Sequence, residues 1–259
     1  MTDAGHVTYA KDGAIGRILF DRPQARNAMS PAMYAELDTV CAGIAADHDL
    51  RAVVLRGAGG KSFVSGSDIA QFLEFTSPEH GVDYEARMEV HLEHLAKIRV
   101  PTLAVIEGYA VGGGLNIAAC CDIRIATTGS KLGTPIAKAL GNCLSVNNYA
   151  RLLQSFGEGR TRRMLLLGEF LTAEEALACG FLSRVVEPEA LDETIDEITA
   201  QLAANSPLSM QVSKQALARL TAPSVPEIED LIRIAYASED FHAAVRAFMG
   251  KTKHTWTGR

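Results

Sequence analysis

Short apolar runs alternate along the chain with longer segments whose apolar residues recur at helical spacing. Strand-like runs lie near residues 52–56, 102–107, 122–126 and 182–186. Apolar residues also flank the Asp12-Gly13 dipeptide on both sides, which predicts a hairpin of two strands. Strands that alternate with helices in this way are typical of an α/β fold built from repeated strand and helix units.

The predicted helices carry recognisable starts and ends. Ser30 and Pro31 form an N-cap and first-turn pair, and the apolar residues that follow share one helix face: Tyr34, Leu37, Val40, Cys41 and Ile44. The segment 172–175 has the pattern of a capping box, and Gly180 closes the helix that it begins. A further amphipathic helix is predicted from about Tyr84 to Arg99.

The pattern becomes helical throughout after residue 190. It therefore divides the chain into a core of residues 1–190 and a C-terminal helical region of residues 191–259, within which segment 220–226 most resembles a linker. These helices are rich in Ala, Leu and Ile and follow a finished sheet, so their apolar stripe must be buried elsewhere. We expect a neighbouring subunit to cover it.

Composition narrows the class of protein. The 259 residues are 47% hydrophobic and 22% charged, which is enough to bury a sizeable core, and the net charge of −6 with no cluster of Lys or Arg argues against a nucleic-acid partner. No leader pattern or long apolar run is present, so we expect a cytoplasmic protein without a membrane partner. The five cysteines, an odd number, are expected to stay reduced.

Two glycine-containing turns carry the candidate chemistry. Gly112, Gly113 and Gly114 stand between an apolar strand and an apolar helix, and segment 61–69 has the same strand, turn and helix order. Glycine turns at helix starts leave backbone N–H groups available to an anion or a polarised carbonyl. Two such turns can direct two N–H groups at one oxygen, which is how enzymes stabilise an enolate or a tetrahedral oxyanion.

Four spaced segments together resemble the crotonase superfamily, also called the enoyl-CoA hydratase/isomerase family. They are residues 18–28, with an Arg-Pro…Asn-Ala turn, residues 63–69, residues 106–122 and residues 238–248. The resemblance implies an α/β fold, a spiral of repeated β-β-α units with C-terminal trimerisation helices. It implies an acyl-CoA thioester as partner and a homotrimer or dimer of trimers. Coenzyme A would be part of the substrate, with no permanently bound cofactor and no metal.

The resemblance also implies roles for particular residues. The backbone N–H groups of Ser65 and Gly113 would form the oxyanion hole that faces the thioester carbonyl. Residues expected to contact coenzyme A are Arg26, Phe63, Ser67, Phe248 and Lys251, of which Phe248 and Lys251 would reach the site from a neighbouring subunit. Arg26 also fits an ordinary surface position in a polar turn.

The two glutamates that serve as acid and base in family hydratases have no counterpart at the matching positions. Asn116 follows the glycine triplet where the first glutamate is expected, and Ile136 follows Pro135 where the second is expected. An amide or an alkyl side chain does not exchange protons near neutral pH. Standard hydration is therefore not expected, although Asn116 could orient a water or a substrate carbonyl.

Other side chains leave alternatives open. Cys143 stands where aryl-CoA dehalogenases of the family carry a nucleophilic aspartate, although a free cysteine is more often simply a buried apolar filler. His91 or His94 could serve as a base, or both could lie on a solvated helix face. Asp68 is expected to cap the helix that follows it rather than to act in catalysis.

The sequence thus predicts a lyase or isomerase that processes acyl-CoA by stabilising a thioester enolate or oxyanion, with a reaction other than standard enoyl-CoA hydration. Decarboxylation, retro-aldol cleavage and thioester hydrolysis remain open. One alternative is a non-catalytic acyl-CoA-binding or scaffold protein, which the loss of both glutamates motivates. Another is a hydrolase that uses Cys143 as a covalent nucleophile.

Overall fold

The computed structural model describes residues 4–221, 229–255 and 257. Its strands, in chain order, are β1 (His6–Asp12), β2 (Ile15–Asp21), β3 (Ala52–Gly57), β4 (Ser62–Val64), β5 (Thr102–Ile106), β6 (Tyr109–Val111), β7 (Ile123–Thr127), β8 (Lys131–Gly133), β9 (Leu171–Thr172) and β10 (Arg184–Val186). They form a six-stranded sheet in the order β1-β2-β3-β5-β7-β10 and a four-stranded sheet in the order β4-β6-β8-β9.

The helices, in chain order, are α1 (Pro31–Ala46), α2 (Pro78–Ala96), α3 (Gly113–Cys120), α4 (Ile136–Ala139), α5 (Val146–Arg162), α6 (Ala173–Ala178), α7 (Leu191–Ala204), α8 (Pro207–Thr221), α9 (Glu229–Ala237) and α10 (Glu239–Met249). A 3₁₀ turn, Ile69–Glu74, lies between β4 and α2. The strands β3, β5 and β7 of the large sheet are each followed by a short strand of the small sheet and then by helix. This repetition confirms the predicted spiral of β-β-α units.

The large sheet begins with the predicted hairpin. Asp12 pairs with Ile15 at the end of an antiparallel ladder between β1 and β2. From β2 onward each neighbouring pair in this sheet is parallel. Parallel strands are covered on both faces, which explains why β3 and β5 are almost entirely apolar and buried rather than alternating.

The local signals in the sequence correspond to observed caps. The Ser30 side chain accepts a hydrogen bond from the Met33 N–H at the start of α1. Thr172 and Glu175 form a reciprocal capping box at α6. Asp68 accepts from the Ala70 N–H where the 3₁₀ turn begins, which confirms its capping role.

Helix α2 begins about two turns of helix before the predicted position. Pro78 occupies its first turn, and segment 78–83 is largely polar, so an apolar periodicity could not find it. The additional turns matter because they bring Gly81 against Tyr236 of α9: a β-carbon at Gly81 would lie 2.3 Å from the Tyr236 side chain. Helix α2 is thereby fixed between the core and the C-terminal helices.

Aromatic side chains join the C-terminal helices to the rest of the fold. Phe72 of the 3₁₀ turn meets Tyr84 of α2 edge to face with ring centroids 4.9 Å apart, and Tyr236 of α9 meets Phe241 of α10 at 4.8 Å. Such rings add packing energy beyond the area that they bury. Helices α9 and α10 therefore cover the same chain's core.

Helix α8 differs from its neighbours because its apolar residues face outward. Leu208, Leu217 and Leu220 are 68%, 61% and 82% exposed. The linker predicted at 220–226 falls mainly on residues outside the described ranges. Among the described helices, none combines the length and the apolar character that crossing a membrane requires.

Candidate active site

A cavity of about 900 Å³ lies where the two glycine turns, α2, α4 and the end of α10 meet. The two glycine turns follow the short strands β4 and β6 of the small sheet. Since these strands are parallel neighbours, both turns lie at the same edge of that sheet. The residues of interest in the cavity lining are Arg26, Tyr34, Ser65, Ser67, Tyr84, Glu85, Gly113, Asn116, Ile136, Phe248 and Lys251.

Each glycine of the triplet has its own structural reason. Gly112 has a φ of +52°, and its N–H donates to the Gly133 carbonyl. Gly113 begins α3, so its N–H has no acceptor within the helix. At Gly114 a β-carbon would lie 2.0 Å from the Val64 carbonyl oxygen, so only glycine allows α3 to approach β4 this closely.

The second glycine turn presents Ser67 rather than Ser65 beside Gly113. The Ser65 N–H donates to the Arg26 carbonyl, whereas Met29 pairs with the turn through the Gly66 carbonyl and the Asp68 N–H. In a parallel bridge of this kind the residue between those two groups turns its own N–H away from the bridge. A β-carbon at Gly113 would lie 3.6 Å from the Ser67 nitrogen. The prediction that Ser65 supplies the amide is therefore wrong by two residues.

Three hydroxyl groups meet next to these amides. The Ser67 hydroxyl lies 2.9 Å from the Tyr34 hydroxyl and accepts a 2.7 Å hydrogen bond from Tyr84. Burial raises the pKa of Tyr34 to about 12 and that of Tyr84 well above its usual range, so both phenols remain protonated donors. A β-carbon at Gly113 would lie 2.9 Å from the Tyr34 oxygen.

The sequence placed Tyr34 on the buried face of α1 but assigned no role to its hydroxyl. A tyrosine within an otherwise apolar stripe normally finds a hydrogen-bond partner when it is buried, so its position was a usable signal.

Asn116 and Ile136 both line the cavity, as their positions in the sequence suggested. Asn116 is 2% exposed, and its side-chain oxygen has no hydrogen-bond partner among the described residues. An unpaired buried acceptor is costly unless a ligand or water satisfies it. The amide of Asn116 is thus available to a molecule in the cavity, while the Ile136 side chain offers only apolar contact.

One carboxyl group that sequence reasoning missed lines the cavity from α2. Glu85 is 3% exposed, and its two oxygens accept hydrogen bonds of 2.8 Å from the Tyr236 hydroxyl and the Ser145 N–H. Burial raises the pKa of Glu85 to about 7 against the opposing effect of these two donors. Its partners come from distant parts of the chain, so nothing in the local sequence indicated that this glutamate is buried.

The residues expected to contact coenzyme A separate into two groups. Arg26, Phe248 and Lys251 line the cavity, and Ser67 lies at its centre. Phe63 instead is fully buried against Phe20 with ring centroids 5.4 Å apart. Because a ligand could reach Phe63 only by displacing the core, the structure does not support the predicted contact.

Phe248 and Lys251 reach the cavity of their own chain. Phe248 ends α10 and is 50% exposed, and Lys251 follows in a left-handed conformation with a φ of +53°. The prediction that these residues come from a neighbouring subunit is corrected accordingly. The cause is the packing of α9 and α10 back onto α2 and the 3₁₀ turn, which apolar periodicity does not specify.

Cys143 lies behind the cavity wall. It is 9% exposed, packs in the cluster that contains Tyr84 and Tyr236, and does not belong to the lining. Burial, reinforced by the nearby Glu85, raises the pKa of its thiol to about 12. A thiol of this kind suits the packing role that the sequence left open better than that of a nucleophile.

His91 and His94 of α2 share one partner away from the cavity. The Nδ1 atoms of His91 and His94 lie 2.7 and 2.9 Å from the two carboxylate oxygens of Asp38, and His91 stacks on Tyr34. Neither lines the cavity. Within the ranges that the structure describes, His, Cys, Asp and Glu side chains nowhere form a group of three suited to a metal ion.

Comparisons with known proteins agree with the fold. The model of the enoyl-CoA hydratase/isomerase family matches residues 10–259. The short-chain-enoyl-CoA hydratase of Clostridium acetobutylicum is 31% identical over 255 residues, 97% of each chain. The (E)-benzylidenesuccinyl-CoA hydratase of Thauera aromatica is 37% identical over 210 residues, 81% of each.

A solved structure gives the same result in three dimensions. The crystal structure of an enoyl-CoA hydratase/carnithine racemase from Magnetospirillum magneticum has a TM-score of 0.80 and 31% identity, and the match covers 99% of this chain and 96% of that one. Since the family model and relatives above 30% identity span nearly the whole sequence, the chain belongs to the enoyl-CoA hydratase/isomerase family, the crotonase superfamily.

Proposed function

We propose that this family member processes acyl-CoA thioesters by stabilising an enolate or oxyanion with the backbone N–H groups of Ser67 and Gly113. The observation that carries the proposal is the close approach of the two turns, since a β-carbon at Gly113 would lie 3.6 Å from the Ser67 nitrogen. Amides held in this way need no reorganisation when charge develops, and each is typically worth ~3 kcal/mol of transition-state stabilisation.

The lining of the cavity supports a thioester of coenzyme A as substrate. Arg26 and Lys251 supply cationic groups suited to phosphates, and the apolar side chains of Met88, Leu92 and Leu140 suit an acyl group. The names of the two relatives indicate acyl groups of different shape, one short and one carrying an aryl ring. Both shapes therefore belong in a substrate panel.

The reaction that we propose differs from hydration by two glutamates. Asn116 and Ile136 line the cavity and stand at the positions where the resemblance implies the two carboxyl groups, and neither side chain exchanges a proton near neutrality. The unpaired Asn116 oxygen can instead accept a hydrogen bond from a water or a substrate hydroxyl. Decarboxylation, retro-aldol cleavage and thioester hydrolysis all need the enolate or oxyanion stabilisation that the amides would provide.

The test is turnover of a panel of thioesters by the purified protein, followed by absorbance and mass. The panel contains crotonyl-CoA, (E)-benzylidenesuccinyl-CoA, and malonyl and β-hydroxyacyl thioesters. We expect product from at least one of them. In the Gly113→Ala variant we expect kcat/KM for that thioester to fall by about 100-fold. Binding of every thioester without product would favour the scaffold alternative. An acyl adduct on Cys143 in the intact-protein mass would favour the covalent alternative.

We also propose that the protein assembles as a homotrimer or a dimer of trimers. The outward-facing leucines of α8, including Leu208, Leu217 and Leu220, are the observation in favour. Exposed apolar faces of this kind are usually covered by another chain. Light scattering of the purified protein measures the assembly directly, and a monomer at micromolar concentration would contradict the proposal.

A further inference from the structure

We propose that Glu85 carries the proton in this site, giving it to and taking it from the carbon next to the thioester. The proposal rests on the proposed function, because it assumes an enolate held by the Ser67 and Gly113 amides. It assigns the acid and base role to a helix that contributes neither of the family's two expected glutamates.

Glu85 shares one cavity with the two amides. Glu85 lines the same cavity as Ser67, Gly113 and Asn116, and it does so from a different element, α2. The hydroxyl of the preceding residue, Tyr84, donates to the Ser67 hydroxyl, so this turn of α2 reaches the amide site itself. Glu85 therefore lies in the cavity where the enolate would form, on a turn of α2 that contacts the amide site.

The carboxyl group is also held in one orientation. Oε1 accepts from the Tyr236 hydroxyl and Oε2 from the Ser145 N–H, each at 2.8 Å. A carboxylate has about four acceptor positions, so two fixed donors orient the group while leaving a position on each oxygen for a proton. A proton carrier must be both oriented and incompletely bonded, and Glu85 meets both conditions.

The other carboxyl group in the described lining has a different role. Asp68 forms a 2.7 Å ion pair with Arg22 and also caps the 3₁₀ turn. Both contacts give the Asp68 carboxylate a structural role. Among the described residues Glu85 forms no ion pair. The titratable groups that interact with it are the carboxylate of Glu89, the thiol of Cys143 and the hydroxyls of Tyr34, Tyr84, Tyr149 and Tyr236.

These surroundings let Glu85 exist in both forms near neutral pH. Burial is the largest effect on the pKa of Glu85, Glu89 also raises it, and Tyr236 and Ser145 lower it; together these effects raise the pKa to about 7. A general acid or base works best when its pKa lies near the operating pH. The same geometry with an ordinary glutamate pKa would leave almost no protonated form.

The proposed step transfers one proton between Glu85 and the α-carbon of the thioester. The O–H bond of protonated Glu85 breaks, and its electron pair stays on the carboxylate. The proton bonds to the α-carbon through the electron pair of the enolate double bond, and the thioester carbonyl re-forms. In the reverse direction the carboxylate removes the α-proton, and the resulting negative charge passes to the oxygen beside the two amides.

The experiment measures exchange of the α-protons of butyryl-CoA and 3-phenylpropionyl-CoA in D₂O by mass spectrometry, together with binding of each thioester. We expect the native protein to exchange at least one probe. Glu85→Gln should lower the exchange rate by at least about 100-fold while leaving the dissociation constant within about twofold. Glu93→Gln, on the same helix and paired with Lys97 at the surface, is the matched control and should match the native protein.

The pH profile separates chemistry from a structural role. Tyr236→Phe removes a donor that lowers the pKa of Glu85, so the midpoint of exchange should move to higher pH. Glu89→Gln removes a charge that raises this pKa, so the midpoint should move to lower pH. Substitutions that merely loosened the fold would not shift the midpoint in opposite directions.

The outcomes distinguish this inference from the proposed function. If Glu85→Gln keeps the native exchange rate and pH profile, Glu85 does not carry the proton, although the function stands. If the native protein binds both probes and exchanges neither, the role of Glu85 is also overturned. If the native protein binds no thioester at all, the proposed function itself fails.

Discussion

The Tyr236 hydroxyl donates a 2.8 Å hydrogen bond to the Glu85 carboxyl group, joining two residues that are 151 positions apart. Both side chains are buried, Tyr236 completely. Helix α9 therefore holds a carboxyl group that lines the cavity, in addition to packing on α2. The ionisation of Glu85 is thereby coupled to the docking of the C-terminal helices.

This coupling predicts a pH-dependent stability. The pKa of Glu85 rises from 4.5 to about 7 on folding, so between these values the folded state binds more proton than the unfolded state. Stability should therefore fall as pH rises through this range. Relative to that of the native protein, the free energy of unfolding of Glu85→Gln should increase by up to about 3 kcal/mol as the pH rises from 4.5 to 7. Urea unfolding of both proteins across this range measures the difference, and a constant difference would contradict the raised pKa.

Gly113 and Gly114, the second and third glycines of the triplet, should respond differently to replacement by alanine. At Gly113 a β-carbon would press on the hydroxyls of Tyr34 and Ser67, which lie at 2.9 and 3.2 Å. We expect kcat/KM to fall by about 100-fold with little change in Tm. At Gly114 a β-carbon would meet backbone, the Val64 carbonyl, at 2.0 Å, and we expect a loss of stability of about 1–3 kcal/mol or more.

Turnover and thermal unfolding of the two variants provide the check. Equal losses of stability would mean that Gly113 is only a packing position. Full activity of a folded Gly113→Ala variant would mean that a β-carbon at this position does not disturb the reacting groups, which would contradict the predicted crowding of the site.

The alternation of strands and helices, the hairpin, the helix caps and the glycine turns could be predicted because each depends on residues that are close in the chain, whereas the β-β-α spiral was implied by the resemblance to the family. The sequence misplaced the second amide because the N–H that faces the cavity is selected by the bridge between Met29 and Ser67, a long-range contact. It missed Glu85 for the same reason, since Ser145 and Tyr236 become its neighbours only after folding. Phe248 and Lys251 were expected to come from a neighbouring subunit because the packing of α9 on α2 and of α10 on the 3₁₀ turn is also a long-range contact.

Glutamates at positions 116 and 136 should introduce hydration. Asn116→Glu combined with Ile136→Glu places two carboxyl groups at positions that line the cavity. We expect measurable hydration of crotonyl-CoA, detected as a loss of its absorbance. Neither single variant should reach the same rate. A double variant that folds, binds coenzyme A thioesters and stays inactive would show that these positions do not hold the reacting groups.

Lys251 should act on the nucleotide end of the substrate. Lys251→Ala is expected to weaken binding of an acyl-CoA by roughly tenfold, about 1.4 kcal/mol, while the acyl-pantetheine thioester, which lacks the nucleotide, binds equally to both proteins. Lys253→Ala is the matched control because Lys253 is exposed and lies outside the lining. Equal losses for both thioesters would place Lys251 away from the phosphates.

Infrared difference spectroscopy of a bound thioester tests the central claim most directly. With ¹³C at the carbonyl of cinnamoyl-CoA, two converging amides should move the carbonyl stretch to lower wavenumber on binding, because they draw charge onto the oxygen. The shift should shrink in Gly113→Ala. A thioester that binds to the native protein and keeps its solution frequency would contradict the account.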